Sequence, residues 1–511
     1  MQLMIRDQDE GALLAFVKEN SGSSTATNTD GWTALHEAAY FGVLGCVMIL
    51  IESKTSVLPI NQTALLLAAY RGHVSCVEYL LEHGADPNIC NKEREGPLFR
   101  ACENKSLRMV ELLLRCGASV NKTDNQGATP FHEAVRTDQL EVCEILFQAG
   151  AKISTFNIYG NRPFFTAAQG GCSNVLGFLL AKGADINKQA RDGATPLYEA
   201  CKNDHLCTVE ILLSHKADVN LPTKSGLLPI HQATQRANKQ MVSMLLPLTS
   251  KKMVSSSGIS PLHLAAEDGL DDILELLIRD GYDVNSQLSR EHRLMYEDHR
   301  STALYFSVCD DNLEAATILL EAGADPNLDF FNPLLIAVQK GNAELVELLL
   351  MYGHVHASLS THKLGFPSAV LLAMNSINVL KLLLDHGCDV HPCFDSGTNS
   401  RHDQNLTQTV ILFQFCEAIS KYSIKEPGPL ISLLLDYVGH IKLCSRLLEI
   451  LDGCNDRKHI KSKAVPPHPL MQLCRLRIRK ILGAKRLKTV NVLPLPNILL
   501  RFLWYDVECI S

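Results

Sequence analysis

The sequence of 511 residues lacks a run of about 20 apolar residues, which is the length that a membrane-spanning helix needs. Its apolar C-terminal stretch is interrupted by Pro494, Pro496 and Arg501. Residues 1–7 also lack the basic and then apolar segments of a secretory signal. These absences predict a chain that does not enter a membrane and that works in the cytoplasm or the nucleus.

Patterns that bind metals, cofactors or reacting groups are missing as well. The 17 cysteines include no C-x-x-C pair, so neither a zinc ribbon nor a redox centre is indicated. An H-E-x-x-H zinc motif begins at His36 and at His132, but Tyr40 and Arg136 stand where its second histidine belongs. No G-x-x-x-x-G-K, G-x-G-x-x-G or G-x-S-x-G motif occurs. We therefore predict a non-catalytic protein without a metal or another cofactor.

The composition is that of a folded protein, with 46% hydrophobic and 20% charged residues. Charge is uneven along the chain. Residues 457–511 carry twelve Lys or Arg and two acidic residues, a net charge of +10, and because the whole chain has a net charge of −7, residues 1–456 have a net charge of −17. A basic tail suits a nuclear localisation signal or a nucleic-acid patch. Aromatic residues do not alternate with these cations as base stacking requires, so we expect solvated basic side chains, Arg475, Arg477 and Arg479 among them, and no nucleic-acid partner.

A tetrapeptide of the type Thr-Pro-Leu-His recurs ten times, and five consecutive spacings are 33 residues. Proline suits the first position of a helix, Thr or Ser before it can cap the helix, and a glycine such as Gly72 or Gly341 can end it. A second apolar helix and a Gly-Ala-Asp turn complete each unit. The tetrapeptides begin at residues 33, 63, 96, 129, 162, 195, 228, 260, 302 and 332.

These motifs resemble the ankyrin repeat family, and the resemblance implies an all-α solenoid whose hairpin fingers and first helices line a concave protein-binding surface. We predict about eleven to twelve units over residues 1–390, in which residues 9–20 are the second helix of a truncated first unit and residues 367–389 are a degraded unit. Residues 391–455 are predicted to be a linker with a further degraded unit at 410–435, and 454–468 also has the composition of a linker.

The stacking of repeats also gives a structural role to several cysteines and histidines that would otherwise be candidates for reactive or metal-binding residues. Cys46, Cys76, Cys102 and Cys201 occupy positions where other units carry small apolar residues, so we predict that they belong to the core. The histidines that end the tetrapeptide are predicted, from the resemblance, to hydrogen-bond main-chain atoms between units. They are His36, His132, His231 and His263.

Candidate substrate contacts are aromatic residues at the fingers and one insertion. Trp32 and Tyr159 are predicted fingertip rings, which either anchor a partner or pack on their own scaffold. The spacing of 42 residues before Thr302 indicates an enlarged finger loop at 287–300, with Arg290 and Arg293 as candidates for partner contact. Simple solvation of this charged insertion is the alternative.

The C-terminal segment begins with a proline-started helix over 469–482 that ends at Gly483. This helix has one apolar side. After it the chain continues to Leu-Pro-Leu-Pro at 493–496 and an apolar run to residue 505. These features resemble the SOCS box, placed at 456–511, with a BC box at 469–482 and a cullin box at 493–505. The resemblance implies elongin C binding, together with elongin B, by Pro469, Leu470, Leu473, Cys474 and Ile478, and cullin-5 binding by Leu493, Pro494, Leu495 and Pro496.

The whole layout is similar to the ankyrin repeat and SOCS box family. The resemblance implies a substrate-recognition subunit of an E3 ubiquitin ligase that contains elongins B and C, cullin-5 and a RING-box protein. The ankyrin repeats would bind an unknown protein substrate, and other chains would perform the chemistry. The alternative is an ankyrin scaffold or inhibitor whose C-terminal segment only caps the solenoid.

Overall fold

The computed structural model describes residues 2–19, 31–52, 64–329, 331–352, 369–388, 390, 427–438, 443, 445–452, 457–464 and 474–479. Within these ranges the regular structure is helical, and the β-bridge between Gln287 and Thr302 joins the two ends of the insertion. The prediction of an all-α repeat fold is confirmed. No helix in the described ranges has both the length and the apolar character required to cross a membrane.

The chain forms two compact units, Met1–Ser257 and Gly258–Ser511. The first contains eight antiparallel helix pairs and one added helix among its described residues. The helices are α1 (Gln2–Arg6), α2 (Glu10–Glu19), α3 (Ala34–Phe41), α4 (Leu44–Glu52), α5 (Ala64–Arg71), α6 (Val74–Glu82), α7 (Pro97–Glu103), α8 (Leu107–Arg115), α9 (Pro130–Arg136), α10 (Leu140–Gln148), α11 (Pro163–Gly170), α12 (Ser173–Ala181), α13 (Pro196–Lys202), α14 (Leu206–Ser214), α15 (Pro229–Gln235), α16 (Lys239–Leu245) and α17 (Lys251–Ser257).

In its described ranges the second compact unit has four helix pairs, a short helix in the insertion and three further helices after the pairs. Its helices are α18 (Pro261–Glu267), α19 (Asp271–Arg279), α20 (Arg290–Arg293), α21 (Ala303–Cys309), α22 (Leu313–Glu321), α23 (Pro333–Lys340), α24 (Ala343–Tyr352), α25 (Ala369–Leu372), α26 (Ile377–Asp385), α27 (Pro427–Asp436), α28 (Ser445–Asp452) and α29 (Arg457–Ala464). Residues 474–479 are also helical. Short 3₁₀ turns follow α16 and α25, at Leu246–Leu248 and Ala373–Asn375.

Three features differ from the sequence interpretation. Helix α1 precedes α2, the predicted second helix of the first repeat, so this repeat also has a short first helix. Helix α17 occupies the place of a finger. Residues 454–468 were predicted to be a linker, but α29 forms within them, and Lys463 binds the Asp436 carboxylate of α27 at 2.8 Å. A lysine-rich helix thus forms because packing against α27 outweighs its polar composition.

Each of the ten tetrapeptides begins a first helix at its second residue, as its chemistry predicts. Thr129 precedes α9, its hydroxyl accepts from the main-chain N–H of His132, and Pro130 occupies the first helical position. Gly72 and Gly341 have positive φ angles of 83° and 76°, so the predicted left-handed helix ends are confirmed.

Within each of the two compact units, the core lies between successive repeats. The first helices of neighbouring repeats pack on one another, and the second helices do the same. The four predicted core cysteines are at most 1% exposed, which confirms that assignment. The tetrapeptide histidines join neighbouring units at His132, whose Nε2 lies 3.4 Å from the carbonyl oxygen of Asn161, and at His263, whose Nε2 lies 3.0 Å from that of Ser301. The Nε2 of His231 lies 3.4 Å from the Ser257 hydroxyl.

Candidate protein-binding surfaces

Five consecutive fingers in the compact unit Met1–Ser257 have tips with the same main-chain structure. In each, the N–H of the first tip residue donates to the carbonyl oxygen of the fifth, at 2.9–3.1 Å. The fourth residue of each tip has a positive φ angle, and in four of the five it is glycine. The tips are residues 91–95, 124–128, 157–161, 190–194 and 223–227.

Main-chain hydrogen bonds connect each tip to the next, and we call this continuous structure the fingertip row. The bonds run from Asn125 N to Glu93 O, from Ile158 N to Gln126 O, from Arg191 N to Tyr159 O and from Lys224 N to Asp192 O, at 2.8–3.0 Å. A Cβ atom on Gly160 would lie 2.9 Å from the main-chain nitrogen of Arg191. The row is therefore a closely packed backbone that holds its outward side chains in a fixed order.

Tyr159 lies at the centre of the fingertip row and is 56% exposed. Phe156 and Ile158 on the same finger are 57% and 46% exposed. The Arg162 guanidinium lies 5.8 Å from the centre of the Phe156 ring, and its Nε donates to the carbonyl oxygen of Ser154. Three apolar side chains thus share one exposed finger, which makes this finger a candidate contact surface.

Sequence interpretation found Tyr159 but missed the two residues beside it. A comparison of equivalent positions reveals the signal, because Ile158 corresponds to Asn125 and Arg191 one period away and to Lys224 two periods away. Polar residues are thus usual at a position where this unit carries isoleucine.

The Trp32 ring packs on Tyr40 with the centroids 5.2 Å apart. The ring thus packs on its own scaffold, and its role as a partner anchor stays a prediction. The half-buried ring also lines a cavity of about 340 Å³, together with Tyr70 and the ion-paired Arg100, whose guanidinium lies 4.9 Å from the Tyr70 ring. The other lining residues are Tyr40, Leu66, Leu67, Asn91 and Glu93.

The insertion at 287–300 is a structured segment. Arg290 is exposed in α20, and Arg293 is half-buried with Nη2 3.4 Å from Gln287 Oε1. Arg300 lies 5.0 Å from the ring centres of both Tyr296 and Phe306, and it binds the Asp298 carboxylate. Simple solvation, the alternative for this segment, does not describe its C-terminal half.

In the C-terminal segment, Pro469, Leu470 and Leu473 lie outside the described residues, and so do the cullin-box positions Leu493, Pro494, Leu495 and Pro496. Cys474 and Ile478 lie within the helical residues 474–479, and both are exposed. These two candidate elongin contacts are separated by four residues, so they lie on one side of the helix.

Arg479 was predicted to be solvated, and this prediction is wrong. The residue is 7% exposed, and its Nη2 donates to the main-chain oxygens of Leu384 and Asp385 at 2.8 and 2.7 Å. Its Nη1 lies 3.9 Å from the Asp385 carboxylate, which also accepts a hydrogen bond from the Tyr437 hydroxyl. The guanidinium is 5.4 Å from the centre of the Tyr437 ring. The burial is tolerated because carbonyl, carboxylate and ring together replace the lost water.

Burial also shifts the pKa values of titratable side chains in the core. It lowers the pKa of His132 from 6.5 to about 4, although the hydrogen bond to Asn161 opposes the shift. Desolvation raises the pKa of the Cys143 thiol to about 12. Among the described residues, no cluster of three or more His, Cys, Asp or Glu side chains could hold a metal ion.

Comparisons with known proteins agree with this architecture. Residues 3–91, 84–157, 155–223, 209–288 and 248–329 match the family described as Ankyrin repeats (3 copies), residues 329–360 match Ankyrin repeat, and residues 466–503 match SOCS box.

Relatives include Ankyrin repeat and SOCS box protein 2 of Rattus norvegicus, 45% identical over 279 residues, which are 52% of this chain and 44% of the relative. The Homo sapiens protein of that name is 44% identical over 279 residues, 51% of this chain and 44% of the relative. Ankyrin repeat and SOCS box protein 14 of Mus musculus is 38% identical over 275 residues, 52% of this chain and 47% of the relative. The chain spans less than half the length of these curated relatives. It belongs to the ankyrin repeat and SOCS box family.

Proposed function

We propose that this protein is the substrate-recognition subunit of a cullin-RING E3 ubiquitin ligase. The observation that carries the proposal is the match to the SOCS box at residues 466–503 behind an array of ankyrin repeats. In this proposal the C-terminal box binds elongin C with elongin B, its cullin box binds cullin-5, and a RING-box protein joins through the cullin. The ankyrin repeats bind the substrate.

The geometry of residues 474–479 supports this division of roles. Cys474 and Ile478 are exposed, whereas Arg479 is buried against Asp385 and Tyr437. The helix therefore has one side available for elongin C while another of its residues contacts the rest of the second unit. A segment that served only as a terminal cap would be expected to bury its apolar side instead.

Such a subunit contributes to ubiquitination by proximity alone. Binding a substrate beside a charged conjugating enzyme raises the effective concentration of substrate lysines at the thioester. The bond-forming chemistry then belongs to other chains, in agreement with the predicted non-catalytic role.

The test is affinity purification from cells of the wild-type chain beside two double variants, Leu470→Ala/Cys474→Ala and Pro494→Ala/Pro496→Ala. We expect wild type to recover elongin B, elongin C and cullin-5, the first variant to lose all three, and the second to lose cullin-5 while it keeps both elongins. The variant Cys207→Ala, which removes an exposed cysteine outside the box, is the control and should behave as wild type. Recovery of none of the three by a folded wild-type chain would instead favour the ankyrin scaffold.

A further inference from the structure

The fingertip row has an apolar centre that its own finger does not cover. Phe156, Ile158 and Tyr159 each expose about half of their side chain, and the equivalent tip positions of the neighbouring fingers are polar. Exposed aromatic groups on a rigid backbone lose little conformational entropy on binding, and they are common anchors of protein interfaces. The centre of the row is thus suited to a partner's apolar side chains.

Cations stand beside this apolar centre on the next two fingers. Lys188, Arg191 and Lys224 are exposed, and none of their side chains has a hydrogen bond or ion pair within the part of the chain that the structure describes. The nearby acids are differently placed, because Asp185 and Asp192 accept hydrogen bonds from main-chain N–H groups of their own turns, at 3.1 and 3.0 Å. Positive charge is therefore available to a partner, whereas the carboxylates are already engaged in their turns.

A cavity of about 250 Å³ adjoins the same finger and extends the surface. Its apolar walls include Ile153, Phe164 and Pro196, and its charged lining residues are Arg162, Lys188 and Asp185. Small-molecule sites usually have about 300–1,000 Å³, so this volume suits one side chain better than a free ligand. Arg162 links the cavity to the apolar centre, because its guanidinium also lies over the Phe156 ring.

We propose that the apolar centre of the fingertip row, together with Arg191 and Lys224, binds an extended acidic segment of the protein substrate. The inference rests on the proposed function and names the class of segment that this receptor recognises. Successive fingers carry the cations, so a bound segment must distribute its carboxylates along the row, as an extended chain does. Its apolar side chains then pack on Phe156, Ile158 and Tyr159.

A peptide fits this charge arrangement better than a nucleic acid does. A phosphate backbone along the row would place negative charge beside Asp124 and Asp192, which lie on two tips of the same row. A peptide can place carboxylates only where the cations are and leave neutral residues opposite the acids. Complementary placement of this kind gives specificity as well as faster association.

The test uses the full chain and an array of synthetic peptides of equal length, which vary independently in acidic, basic and large apolar residues. We expect wild type to retain peptides that combine Asp or Glu with Phe, Leu or Ile, and added salt to weaken this binding. The variant Arg191→Glu/Lys224→Glu should bind the best acidic peptide at least about tenfold more weakly. Tyr159→Ser should also lose about tenfold.

The control is Lys216→Glu, which reverses an exposed cation located at the end of α14 and outside the row. It should bind as wild type does. Equal retention of acidic and basic peptides, unchanged binding by both row variants, or displacement of the peptides by polyuridylate RNA at equal charge would each overturn the proposal. Recovery of elongin C is measured on every variant, so a loss of the receptor function is distinguished from a loss of peptide binding.

Discussion

The Arg479 guanidinium donates a hydrogen bond of 2.7 Å to the main-chain carbonyl oxygen of Asp385, 94 residues earlier in the sequence. Asp385 is the last residue of α26, so the acceptor is one of the carbonyl groups that a helix leaves without an internal partner. A cation at this end is also favoured by the helix dipole. The contact ties the C-terminal helical residues to the last described helix pair of the repeat array.

Replacing Arg479 should loosen this connection. Arg479→Ala leaves Asp385 and its surroundings buried without their cation, and we expect the local free energy of opening to fall by about 3 kcal/mol. Native-state hydrogen exchange of the amides in α26 and α27 measures the change. Arg477 is exposed two residues earlier, and Arg477→Ala should leave the exchange unaltered. Arg479→Lys should fall between the two, because an ammonium group lacks the fork that reaches two carbonyl groups. Unchanged protection in Arg479→Ala would contradict the assignment.

Cysteine reactivity should follow burial and report elongin binding. Desolvation raises the pKa of Cys76 to about 11 and that of Cys143 to about 12, so these thiols should resist iodoacetamide in the folded chain. The exposed Cys207 and Cys474 should be labelled, as mass spectrometry of the digested protein would show. After purified elongins B and C are added, Cys474 should become protected while Cys207 continues to react. Equal labelling of Cys474 with and without the elongins would argue against its proposed contact.

The period of 33 residues is sufficient to predict the fold, because each unit repeats the same local chemistry. Thr129 and Pro130 determine where α9 begins, and Gly72 and Gly341 take the left-handed conformation at helix ends. The period did not predict α17, since the spacing from Leu228 to Ser260 is 32 residues whether the intervening segment is a finger or a helix. Spacing measures the number of residues in a connection and not their conformation.

The surfaces were harder to predict than the fold. Tyr159 could be chosen because its position in the unit marks it as a tip residue, but the position of Trp32 alone does not distinguish packing on Tyr40 from exposure. The burial of Arg479 depends on Asp385 and Tyr437, which are distant in sequence. Helical periodicity could not reveal these partners, because it describes only contacts within a segment.

Acid should destabilise the compact unit Met1–Ser257, because His132 is buried there in its neutral form. Burial lowers the pKa of this imidazole from 6.5 to about 4, so the unfolded chain binds a proton at a pH where the folded chain does not. The stabilisation is complete above pH 6.5 and is lost as the pH falls toward 4. The full shift corresponds to about 3 kcal/mol. Urea unfolding of wild type and His132→Gln across this range measures the effect.

The comparison of the two chains separates two contributions. Their difference in free energy of unfolding above pH 6.5 reports the hydrogen bonds that the imidazole makes with Thr129 and Asn161. The change in that difference at lower pH reports the proton linkage, and the variant should lose less stability than wild type does. Parallel pH profiles for the two chains would show that His132 carries no such linkage.

Two glycines with the same main-chain angle should respond differently to alanine. Gly160 and Gly117 both have φ of 83°, so either substitution costs the left-handed strain of about 1–2 kcal/mol. A Cβ on Gly117 would meet no atom within 4 Å, whereas a Cβ on Gly160 would lie 2.9 Å from the main-chain nitrogen of Arg191. Gly160→Ala must therefore displace the next fingertip, and we expect it to lower the free energy of unfolding in urea by clearly more than Gly117→Ala does. Equal losses would mean that the fingertip row yields without cost, and Arg191 would then not be held in the fixed position that the proposed peptide site requires.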